Sequence, residues 1–138
     1  MLYAAECYST AVLETLVHLP TPELPNNRHV ATFTIPPETS FEGFDPEGHA
    51  DWDDRDDPTV ARAYGSLWYR EGRSAVLLVP SVIAPSDRNL VINPNHPDAR
   101  KFVEFPSIVP FRWDERLRRL LDWDGEPVNA AAKHDGTR

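Results

Sequence analysis

The sequence predicts a single α+β domain in which a compact mixed sheet is flanked by helices. Three observations carry this. Short apolar or alternating runs intermingle with segments of helical i, i+3, i+4 spacing. They do so without the strict β-α-β alternation of a doubly wound sheet. The chain of 138 residues, 41% hydrophobic and with four Trp, is also large and apolar enough to bury a core without disulfide or metal staples.

In chain order, Tyr3 opens the sequence almost at once, and a helix is expected from about Ser9 to Leu19. Ser9 suits the N-cap, and Val12, Leu13, Leu16 and Val17 form an apolar stripe. Pro20 and Pro22 stop the helix. His29 to Ile35 alternates like a strand and is closed by Pro36 and Pro37. Glu38 to Asp57 reads as a long acidic loop with Gly43, Pro46 and Gly48. Asp57 then supplies an N-cap and Pro58 the first helical position. Val60, Tyr64, Leu67 and Trp68 share one face of that helix, and Gly72 suits its C-terminal turn.

Ser74 to Val79 is an uninterrupted apolar run of strand length, expected as the central buried strand. Asn89 to Asn93 is a second short strand. Phe102 to Phe111 reads as extended, limited by Pro106 and Pro110. Asp114 caps a last helix through Leu121. The domain is expected over residues 1–123, with 124–138 a polar, flexible tail.

Composition narrows the function classes. A net charge of −8 argues against nucleic acid as the main partner, because phosphate contacts need Lys and Arg. No segment approaches the roughly 20 apolar residues that span a bilayer. Glu6 and Glu14 interrupt the apolar N-terminal run, which excludes a signal peptide of the usual form. Cys7, the one cysteine, cannot build a disulfide framework, so a reducing, cytoplasmic location is expected. The fourteen prolines are scattered, which suits ordered loops rather than a low-complexity tract.

Three constellations carry chemistry. Glu14 sits on an apolar helix, where a carboxylate needs a partner; it either stabilises developing positive charge or pairs with His18 one turn later. Ser81 follows a buried strand and is held between Pro80 and Pro85. It suits contact with a ribose or phosphate, or is an ordinary turn serine, and it lacks the G-x-S-x-G setting of a hydrolase nucleophile. Asn89 opens the stretch to Asn93-Pro94-Asn95-His96-Pro97, a polar loop of Asx-turn type that either flanks a site or is structural. The acidic run from Asp51 to Asp57 lacks the Gly and Glu of an EF-hand, and His18, His29, His49, His96 and His134 show no ligand spacing, so no metal is assigned. There is no glycine-rich phosphate loop.

Taken in order, these segments resemble the RES-domain family. The resemblance runs through Tyr3-Ala4-Ala5-Glu6, then Glu14-Thr15-Leu16-Val17-His18-Leu19, Gly65-Ser66-Leu67-Trp68, Gly72-Arg73-Ser74, Val79-Pro80-Ser81 with Asn89 and Asn93-Pro94, and Pro110-Phe111-Arg112-Trp113-Asp114. It covers about Leu2 to Leu121. It implies a fold like that of ADP-ribosyltransferase toxins and NAD⁺ as substrate rather than a resident cofactor. It further implies breakage of the nicotinamide–ribose bond by hydrolysis, phosphorolysis or ADP-ribosyl transfer. Glu14, Tyr3 and Ser81 take the catalytic positions of the pattern, and Tyr3, Ser81 and Asn89 the dinucleotide-binding ones.

The family is the toxin half of bacterial toxin–antitoxin pairs. The implied protein partner is therefore a helical, Xre-like antitoxin, with a toxin homodimer inside the complex. In the family a Gly-Gly-Arg-Trp-like segment precedes the Tyr strand, and its Arg contacts the dinucleotide. Met1-Leu2-Tyr3 offers no counterpart, which implies a truncated domain with weak NAD⁺ turnover. Arg73 and Arg88 are the substitute cations on the matching motifs, and the alternative function is a non-catalytic remnant that binds the antitoxin.

Overall fold

β-branched and leucine-rich runs form the strands, and the segments with helical spacing pack across them. The computed structural model describes residues 1–20, 24–104 and 106–121, so the tail expected over 124–138 and the stop at Pro22 lie outside the described residues. Along the chain run β1 (Leu2–Ala5), α1 (Tyr8–Val17), β2 (His29–Thr32), β3 (Phe41–Gly43) and α2 (Thr59–Glu71). There follow β4 (Val76–Pro80), β5 (Arg88–Ile92), α3 (Pro97–Val103), β6 (Ser107–Pro110) and α4 (Glu115–Leu121).

The expected α+β architecture with a mixed sheet is what forms. A four-stranded sheet has the order β1-β5-β4-β3, and β2 pairs with β6 in a separate two-stranded ribbon. β3 lies parallel to β4, with α2 as the crossover, and the remaining pairs are antiparallel.

Alternation along the central strands gives the sheet two buried faces. On one, Val76, Leu90 and Ile92 pack against Ala99 and Phe102 of α3. On the other, Leu77 and Val91 pack against Trp68 of α2. Trp68 is 0% exposed, and its Nε1 donates to Ser74 Oγ at 2.8 Å, so the indole is buried without leaving its N–H unpaired. Each fully buried aliphatic side chain here contributes about 1.5–3 kcal/mol.

Several elements depart from expectation, each for a local reason. Cys7 rather than Ser9 caps α1, its Sγ accepting from the Thr10 N–H at 3.5 Å. The strand from His29 stops at Thr32, while Phe33 and Ile35 turn into the core. β3 lies inside the segment expected as a loop, because parallel pairing with β4 overrides its weak local pattern. Pro58 flanks α2, and the Asp57 carboxylate accepts from the Thr59 N–H at 3.1 Å. α3 occupies the start of the stretch expected as extended from Phe102, with His96 Nδ1 accepting from the Asp98 N–H. Gly72 closes α2 in the left-handed region at φ +59°, as its position suggested.

Candidate functional site

The site is built where α1 meets the turn between β4 and β5. Cys7 places Thr10 in the first turn of α1, where it is buried. Thr10 Oγ1 donates to Asp87 Oδ2, and Cys7 Sγ–H donates to the same oxygen at 3.4 Å. These donors hold the Asp87 carboxyl below its ordinary range, Thr10 contributing most. Just before the helix, Arg88 Nε and Nη2 grip the two Glu6 oxygens at 2.9 and 2.8 Å. The helix is therefore tied to the turn at its first residues, and whatever lies one turn further along it faces the same way.

That next residue is Glu14. Its Oε1 accepts from Ser81 Oγ at 2.8 Å and from Asn89 Nδ2 at 2.6 Å. Ser81 is buried at the end of β4. Its Oγ also accepts from the Ala84 N–H at 3.0 Å, and its own N–H donates to the Asp87 carbonyl at 3.0 Å. Asn89 lies on β5 between Ala5 of β1 and Val79 of β4. Glu14 is a quarter exposed, at 25% for the side chain, and its second oxygen lies 3.7 Å from His18 Nε2. The arrangement is a carboxylate with one oxygen clamped by two neutral donors and the other beside the exposed His18. Such a group can face developing positive charge without reorganising.

The structure thus brings Glu14, Ser81 and Asn89 together. Tyr3 stands apart from their hydrogen bonds. It lies opposite Val91 on the edge strand β1 and is 77% exposed. Because Ala5 is opposite Asn89, Tyr3 and Asn89 share one face of the sheet. Arg73 and Arg88 are both engaged by carboxylates, Arg73 with Glu42 and Glu71 and Arg88 with Glu6. Neither is an unpaired cation for a pyrophosphate.

The apolar stripe read on α1 is split: Val12 and Leu16 are half-buried, and the other two residues turn outward. Leu13 and Val17 are 40% and 55% exposed. The face turned inward carries Thr10 and Glu14 at i, i+4 spacing, the signal that points to Thr10 and Asp87 as supporting residues. Among the described residues no group of three or more His, Cys, Asp or Glu is placed to hold a metal ion, and no helix is long and apolar enough to cross a membrane.

The family model described as "RES domain" matches residues 1–114. The chain belongs to the RES domain family. Its matched part spans every strand of the fold and therefore includes Glu14, Ser81 and Asn89. The mixed α+β architecture is accordingly that of the RES domain, an ADP-ribosyltransferase-like toxin fold.

This RES domain is 39% identical over 125 residues to the "Prs ADP-ribosylating toxin" of Sphingobium sp. (strain YBL2), a match covering 86% of this chain and 75% of that protein. It is 32% identical over 117 residues to "Toxin Res" of Photorhabdus laumondii subsp. laumondii, covering 84% and 74%. It is 26% identical over 117 residues to "Toxin Res" of Yersinia enterocolitica, covering 85% and 77%.

Proposed function

We propose that the protein is a RES toxin that consumes NAD⁺ by breaking the nicotinamide–ribose bond. The observation that carries this is the double hydrogen bond from Ser81 and Asn89 to a single oxygen of Glu14. It leaves the other oxygen as the group that meets the substrate. In the reaction the C–N bonding pair leaves with nicotinamide, and ribose C1 takes on oxocarbenium character. Glu14 stabilises that charge, as carboxylates do in glycoside cleavage. A nucleophile then adds to C1 and gives up its proton. Tyr3 stacks on the nicotinamide from the exposed sheet edge, and Ser81 both orients Glu14 and lies beside the ribose. NAD⁺ is substrate here, and no metal enters the scheme.

The Sphingobium relative is named an ADP-ribosylating toxin, which favours transfer of ADP-ribose over release to water. Separating free ADP-ribose, ADP-ribose 1″-phosphate and protein-bound ADP-ribose after incubation with labelled NAD⁺ decides between the acceptors. The test of the function itself is nicotinamide release by the folded protein, expected to fall about 100- to 1,000-fold in Glu14→Gln.

A second reading concerns the partner. Leu13 and Val17 on α1, with Ile108 and Val109 on β6, are exposed apolar side chains. A helical, Xre-like antitoxin that neutralises the toxin has apolar surface here to cover. Co-expression with an Xre-like antitoxin tests it: growth arrest by the protein alone and relief by the pair is the expected result.

A further inference from the structure

We infer that Asn89 is a positioning residue that acts through Glu14 and does not itself bind the dinucleotide; the inference rests on the NAD⁺-cleaving reading above. Three observations lead to it. Asn89 Nδ2 donates to Glu14 Oε1 at 2.6 Å. Its Oδ1 is buried and has no hydrogen-bond partner among the described residues. The acceptor that a ribose hydroxyl or a carboxamide N–H would use is thus shut away from the surface. A side chain that buries one polar atom unpaired while offering its donor to a single carboxylate is organised around that carboxylate.

The third observation is where Asn89 is held. β5 is an inner strand, hydrogen-bonded to β1 on one side and β4 on the other. Ser81 reaches Glu14 Oε1 from a turn, whereas Asn89 reaches it from the sheet. Two donors arriving from different elements fix the oxygen in space, which also fixes the plane of the carboxylate and the direction of Oε2. Positioning of this kind acts on the chemical step more than on substrate binding.

The experiment is steady-state nicotinamide release by the purified protein and by Asn89→Ala, Asn89→Asp, Glu14→Gln and the Asn89→Ala/Glu14→Gln double variant, with thermal melting of each. Asn89→Asp keeps the size of the side chain and replaces the donor with a repelling carboxylate, so it serves if the alanine variant fails to fold. The expected result is a kcat lowered roughly 10- to 100-fold in both single Asn89 variants with KM for NAD⁺ within about twofold. The double variant is expected to be no slower than Glu14→Gln alone, since Asn89 works only through Glu14. A raised KM with kcat preserved overturns the inference and makes Asn89 a substrate ligand. So does a double variant slowed by the full product of the single effects. If Glu14→Gln turns over like the parent, the role given to Glu14 fails and the inference with it; if the folded parent releases no nicotinamide, the NAD⁺-cleaving reading itself fails, whatever the Asn89 variants do.

Discussion

Ser81 and Glu14 lie 67 positions apart in the chain, yet the Ser81 hydroxyl donates to Glu14 Oε1 at 2.8 Å while accepting from the Ala84 N–H at 3.0 Å. One buried hydroxyl thus couples the shape of the β4–β5 turn to the aim of the carboxylate. Ser81→Ala removes both bonds. Its expected cost is about 1–3 kcal/mol of stability, from the Ala84 N–H and the half-buried carboxylate left short of partners. A roughly 10- to 100-fold loss of nicotinamide release is expected with it. Denaturant titration and the turnover assay check the two effects separately; a variant with parental stability and turnover speaks against the coupling.

Tyr3 gives the opposite kind of prediction. It is 77% exposed, so Tyr3→Ala is expected to change stability by no more than about 0.5 kcal/mol. If its ring stacks on nicotinamide, NAD⁺ affinity falls by the worth of an offset-stacked aromatic pair, about 0.5–1.5 kcal/mol. Isothermal titration with NAD⁺ against the Glu14→Gln background measures this with turnover suppressed. Unchanged affinity removes Tyr3 from the site.

The tie between Asp87 and α1 predicts a pH dependence. Hydrogen bonding from Thr10, then Cys7, depresses the Asp87 carboxyl in the folded protein. A depressed folded-state value means that the stabilisation is fully present above the unfolded value of about 3.9 and is lost as pH falls through the lower, folded one. Thr10→Val removes the principal donor. The stability difference between parent and variant is therefore expected to be largest near neutrality and to shrink in strong acid. Urea titrations of both proteins at pH 7 and at about pH 3 follow it. A difference that stays constant with pH assigns the loss to packing instead.

Trp68 fills the α2 face of the sheet, and Trp68→Ala is expected to cost about 3–5 kcal/mol, enough to unfold a marginal domain. Trp68→Phe keeps most of the volume but leaves Ser74 Oγ without the indole donor. It is expected to cost less. Melting temperatures order the three proteins, and a phenylalanine variant as unstable as the alanine one contradicts the packing argument.

Much of the fold is legible in the sequence because its strongest local patterns are also its core. The run from Val76 to Val79 and the helix ending in Gly72 needed no tertiary information, since apolar continuity and a left-handed glycine specify them. β3 was not legible. Phe41-Glu42-Gly43 has little pattern of its own and is a strand only because β4 lies beside it. α1 was half legible: its helical period was plain, but its orientation was not. Hydrophobicity turned Leu13 and Val17 inward, whereas the ties of Thr10 to Asp87 and of Glu14 to Ser81 turn the polar stripe inward. Glu14, Ser81 and Asn89 were each visible as candidates with ordinary structural alternatives. Only the packing of α1 against the β4–β5 turn joins them.

The most direct measurement is the ratio of nicotinamide release from NAD⁺ by the purified protein to that by Glu14→Gln, under identical conditions and with both proteins shown to be folded. Glutamine preserves the shape of the side chain and its acceptor for Ser81 and Asn89, but it removes the charge that faces ribose C1. The expected ratio is on the order of 100 to 1,000 in favour of the parent, the size typical of losing one preorganised electrostatic group. Equal rates in the two proteins, whether fast or absent, would contradict the role given to Glu14.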